Sequence, residues 1–77
     1  MPSEAEWAEK VKRFLKAELK RADLTYEDLA LKLAEHGVEG ETKASIASKL
    51  GRGTFPATFM LAVVATLGIE AIKLEEM

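Results

Sequence analysis

Seventy-seven residues leave room for one hydrophobic core, because dividing them in two would give each half too little apolar surface to offset chain entropy. With 48% apolar and 31% charged residues the composition is that of a folded domain rather than a disordered chain, and a net charge of −2 speaks against nucleic-acid binding driven by total charge alone. The absence of cysteine excludes a disulfide framework, a thiolate zinc site and thiol catalysis, and points to a reducing, cytoplasmic setting.

Ser3-Glu-Ala-Glu6 has the spacing of a capping box and predicts the start of a first helix. Trp7, Val11, Phe14, Leu15 and Leu19 then recur at steps of three and four, while Lys10, Lys12, Arg13, Lys16, Lys20 and Arg21 fall mostly off that stripe, and the helix is expected to end near Ala22. Thr25-Tyr-Glu-Asp28 is a second start signal, followed by Leu29, Ala30, Leu33 and Ala34 on one face and by Gly37 as the stop. Val38-Glu-Gly-Glu41 has no periodicity and reads as a loop. Thr42 can cap a short third helix turning Ile46, Ala47 and Leu50 inward, which Gly51-Arg-Gly-Thr54 is expected to break. Pro56 suits the first turn of a fourth helix running to Leu67 before Gly68. Its apolar residues Phe59, Met60, Val63, Val64 and Leu67 cover more than a narrow stripe, so it is expected at the centre, against helix one and open to a second copy. Ile69, Ile72 and Leu74 fit either a fifth helical turn or a short strand.

The longest apolar stretch, Phe59 to Leu67, is half a membrane span, and the N-terminus is too acidic for a signal peptide, so no membrane role is expected. His36, the one histidine, sits at a predicted helix C-terminus where the dipole accounts for it, and no second histidine or cysteine is available to build a transition-metal site. Ser and Thr residues fall mainly at caps, with no pattern of nucleophile, base and orienter. The reading is therefore no enzyme and no cofactor, and no residue speaks for a small-molecule effector. Gly51-Arg-Gly-Thr54 lacks the spacing of a P-loop and is better read as a glycine stop and cap than as a phosphate nest. Phe55 and Phe59, four apart, read as a core pair rather than a base-stacking platform.

Two helices joined by a turn, with a capped short second member and an apolar fourth helix, describe a helix-turn-helix unit. The order Leu24-Thr-Tyr-Glu-Asp-Leu-Ala30, Gly37-Val38, Ser45-Ile46-Ala47-Ser48, Arg52-Gly53 and Leu67-Gly-Ile69 resembles the lambda-repressor-like (Xre/Cro) family. More closely, Leu15 through Gly68, with its Arg52-Gly-Thr-Phe55 run, resembles a small bacterial family known only as a domain of unknown function, DUF6471, which implies a fold and supplies no activity. The chain departs from the repressor pattern in two places. Ala30 to Ile46 spans sixteen steps, several more than the tight repressor motif, so helix two is lengthened toward Gly37 and the turn enlarged. Tyr26 also stands where repressors commonly place a glutamine that steadies a phosphate contact. The fold class expected over residues 1–77 is thus a single all-α domain of four to five short helices, lambda-repressor-like, with an enlarged turn.

From Thr42 to Ile69 the chain has Lys43, Lys49 and Arg52 and no Asp or Glu. A recognition helix needs cations or hydroxyls able to reach phosphates and base edges, and Thr42, Lys43, Ser45, Ser48, Lys49 and Arg52 are the candidates for contact with double-stranded DNA. Three cations are few for one protomer, so binding is expected to need a homodimer or the basic face of helix one. Small unstapled domains also gain burial by self-association. Two functions stay open: a DNA-binding transcriptional regulator, and a protein-interaction or structural module that kept the helical scaffold after losing the tight turn.

Overall fold

The computed structural model describes residues 3–76 and is all-helical, with no strand among them. Helix α1 spans Glu4–Arg21, α2 Tyr26–Glu35, α3 Lys43–Arg52 and α4 Ala57–Thr66, and a single 3₁₀ turn, Leu74–Glu76, follows. Each start has a local cause. The Ser3 hydroxyl accepts the Glu6 N–H, and Thr25 with Asp28 and Thr42 with Ser45 form capping boxes bonded in both directions. Pro56, already extended and with no N–H to satisfy, is the N-cap of α4.

Three of the four helices close with the same device, in which the N–H three residues past the last helical residue reaches back to a carbonyl five residues earlier. Leu24 donates to Leu19, Val38 to Leu33 and Ile69 to Val64, all at 2.8–3.0 Å. The residue before each of these donors must be left-handed. Gly37 and Gly68 meet that need at φ of 87° and 71°, but α1 meets it with Asp23 at φ of 57°.

All four helices contribute to one apolar cluster: Leu15 and Leu19, Leu29 and Leu33, Ile46 and Leu50, Phe59 and Val63. Each pair is four residues apart, the spacing that puts both side chains on one helix face. Helix α3 packs against α1 and α2, and α4 packs on α2. The expectation that helix four lies against helix one is corrected here: α4 is apolar on every side, so its sequence carries no direction, and the structure pairs it with α2. Trp7, at the start of the predicted stripe of α1, is 37% exposed rather than core.

Two further expectations change and one holds. Ala47 faces solvent while Ile46 and Leu50 are buried. The break expected at Gly51-Arg-Gly-Thr54 is found within that run: Gly51 and Arg52 complete the helix, and the left-handed backbone of Gly53 and its N–H bond to the Lys49 carbonyl close it. The Arg-Gly-Thr-Phe run is therefore a helix terminus and not an anion nest. Ile69 and Ile72 lie half-buried in irregular chain with no strand, and of the expected fifth helical turn only the 3₁₀ turn that begins at Leu74 forms.

Gly53 is also a point of close approach between α3 and α1. A Cβ there would collide with the carbonyl oxygen of Ala8 and come within 2.8 Å of its carbonyl carbon. Two residues on, Phe55 meets the buried Phe59 edge-on, with ring centroids 5.1 Å apart. The most distinctive sequence run of the chain thus joins the end of α3 to both α1 and α4.

Candidate nucleic-acid interface

Helix α3 follows residues 36–42, a connection about twice the three to four residues of a tight helix-turn-helix. Ile46 and Leu50 anchor its inner face. The outer face carries Lys43, Ala44, Ala47, Ser48, Gly51 and Arg52, all exposed. That face has a cation at each end, no carboxylate and nothing between them larger than serine.

The six candidates separate into two groups. Thr42 and Ser45 are spent on the helix start: the Thr42 N–H donates to Ser45 Oγ at 2.8 Å and the Ser45 N–H to Thr42 Oγ1 at 3.1 Å. The Ser45 hydroxyl proton goes to Glu41 Oε1 at 2.6 Å. Lys49 points the same way, its ammonium paired with the other oxygen of Glu41 and lying 4.7 Å above the centre of the Phe59 ring. Glu41, Ser45 and Lys49 thereby tie the end of the enlarged loop to α3, and Lys49 ties α3 to α4.

Lys43, Ser48 and Arg52 form the second group. Arg52 donates to Ser48 Oγ at 2.7 Å, one turn back, so the two already share a face and a hydrogen bond. Lys43 Nζ lies 3.6 Å from Glu27 Oε1 on the first turn of α2, with both side chains about two-thirds exposed, a contact that solvent keeps weak. Lys43 is also a cation in the first turn of a helix, where the dipole disfavours it and favours an anion.

The acid-free run from Thr42 to Ile69 is therefore less basic in space than in sequence. Glu41 and Glu27, outside that run, return to neutralise Lys49 and approach Lys43. In the sequence Glu41 falls in the aperiodic loop Val38-Glu-Gly-Glu41. A signal for it exists: Glu41, Ser45 and Lys49 recur at steps of four, which aligns them once α3 forms.

Among the described residues two carboxylates have shifted acidity. Partial burial raises the pKa of Glu41, but the Lys49 ammonium and the Ser45 hydroxyl outweigh it, and the net shift is downward. The Thr25 N–H, and then its hydroxyl, lower that of Asp28. His36 Nδ1 donates to the Lys32 carbonyl at 2.9 Å, inside its own helix end. Among the described residues no group of three or more His, Asp or Glu could hold a metal ion, and no helix is long and apolar enough to cross a membrane.

Residues 7–72 match the model of a family described as a domain of unknown function, DUF6471. The chain belongs to that family. No curated protein and no solved structure was found to be similar to it.

Proposed function

We propose that this domain binds double-stranded DNA through the outer face of α3, as a helix-turn-helix module with an enlarged turn, acting as a homodimeric transcriptional regulator in the cytoplasm. The observation that supports this most is the make-up of that face. Lys43 and Arg52 stand at its ends, Ser48 lies between them, and Ala44, Ala47 and Gly51 are small enough to let a duplex approach the helix backbone. Lys43 and Arg52 meet phosphates, and Ser48, whose hydroxyl hydrogen stays available while its oxygen accepts from Arg52, reaches a base edge. Thr42, Ser45 and Lys49 hold the helix in place rather than touch DNA. No catalytic role is assigned to any residue.

Two phosphate-contacting cations give a salt slope of about −2 for a protomer and about −4 for a dimer on paired half-sites. Charge reversal tests the face. Lys43→Glu with Arg52→Glu should leave the fold intact, since both side chains are exposed, and should abolish duplex binding. Unchanged affinity and salt slope in that double variant would remove the reading.

A second reading, a protein-interaction module, is favoured by one feature. Helix α4 carries no charged residue, yet Leu61 on it is 68% exposed. On that reading Leu61→Asp abolishes partner capture and the double charge reversal does not.

A further inference from the structure

Where α1 gives way to α2, Lys16, Leu19 and Lys20 face Leu24 and Tyr26 across an open cleft of about 520 Å³. That volume is in the range of small-ligand sites, and the lining is mostly apolar. Leu24 and Tyr26 are half-buried and present the exposed carbon surface of the cleft, over the buried Leu19. The two lysines are the unexplained part. They stand four apart on one helix, a like-charge arrangement that costs helix stability, and neither has an ion-pair partner among the described residues. Arg21 and Lys12, on the same helix, do have partners in Glu18 and Glu9. Asp23 also lines the cleft and forms no ion pair with either lysine, so it offsets their field only in part. Thr25 contributes only its hydroxyl hydrogen, since its N–H donates to the Asp28 carboxylate and its hydroxyl oxygen accepts the Asp28 N–H.

We infer that this cleft binds a small amphiphilic anion, an aromatic or aliphatic body bearing a phosphate or carboxylate head. The head sits between the Lys16 and Lys20 ammonium groups and relieves their repulsion, and the body covers Leu19, Leu24 and Tyr26. The apolar wall selects this class over a DNA phosphodiester, which brings no apolar body to cover the leucines. This site does not depend on the DNA-binding reading, and it supplies an effector site that the sequence did not suggest.

Titration of the full chain with phenyl phosphate, followed by amide chemical shifts, tests the site. Saturable shifts centred on Leu24 and Tyr26, with a dissociation constant of about 1 mM or below, are expected. Lys16→Gln with Lys20→Gln should weaken binding by about tenfold or more, whereas Arg13→Gln, on the same helix but outside the cleft, should not change it. Inorganic phosphate and benzyl alcohol, each carrying half of the chemistry, should both bind more weakly. Shifts that fail to saturate, or that survive loss of both lysines, overturn the proposal. So does a result in which the lysine variants change only the salt dependence of duplex binding, because the lysines then serve DNA.

Discussion

Asp23 occupies a left-handed position that Gly37 and Gly68 fill at the other two equivalent helix ends. An L-residue in that region costs about 1–2 kcal/mol, which aspartate reduces only in part. Asp23→Gly is therefore expected to stabilise the domain by about 0.5–1 kcal/mol and raise its thermal midpoint by about 3–6 °C. A lower midpoint would mean that the aspartate side chain does more for the turn than its backbone strain costs. Gly53 is the opposite case. Gly53→Ala combines left-handed strain with a collision against the Ala8 carbonyl and should cost about 2–4 kcal/mol in denaturant unfolding. That is a large share of the about 4–11 kcal/mol a domain of this size possesses. A neutral result would show that α1 can move away from α3. The glycine stops at 37 and 68 were readable because glycine carries a conformational signal of its own. Asp23 was not, since aspartate is common in ordinary turns and nothing nearby marks it as left-handed.

Among the elements, α3 owes its position to the Glu41, Ser45 and Lys49 contacts as well as to its apolar anchors. Glu41→Gln keeps a weaker hydrogen bond but removes the charge opposite Lys49, and should cost about 1–2 kcal/mol near neutral pH. The sign with pH follows from the lowered pKa values. Glu41 and Asp28 titrate in the folded state below their ordinary values of 4.5 and 3.8, so their contribution is full above those values. It is lost as pH falls through the lower folded-state values. The thermal midpoint should thus be level near neutral pH and fall below about pH 4.5, and the curves of Glu41→Gln and the unmodified protein should converge in acid. Parallel curves would mean that the ion pair adds nothing to stability. Start signals placed α1, α2 and α3 to within a residue because caps act locally. The end of α3 falls inside the expected Gly51-Arg-Gly-Thr54 break, at its second glycine rather than its first: Gly51 is a poor helix former, but burial of Leu50 and the close packing at Gly53 carry the helix past it. Ala47 faced the wrong way because alanine is too small for its apolar character to decide a face.

For the whole molecule, one apolar cluster shared by four helices agrees with the single core that length and composition imply. Its internal arrangement was only partly legible. The stripes of α1 and α2 and the Ile46 and Leu50 pair carried direction, whereas α4 is apolar all round and gave no indication that it packs on α2. Charge was the least legible property. A chain of net charge −2 holds a stretch of +3, and folding brings Glu41 and Glu27 back to that stretch, leaving Lys43 and Arg52 at the ends of a small-residue face. Those two residues make the DNA reading narrow and quantitative.

The most direct measurement is fluorescence anisotropy of labelled random and genomic duplex DNA titrated with the protein across a range of salt concentrations. The account predicts binding at low salt whose affinity falls with a log–log slope of about −2 per protomer, or about −4 for a dimer. No binding at the lowest salt, or binding indifferent to salt, would contradict it.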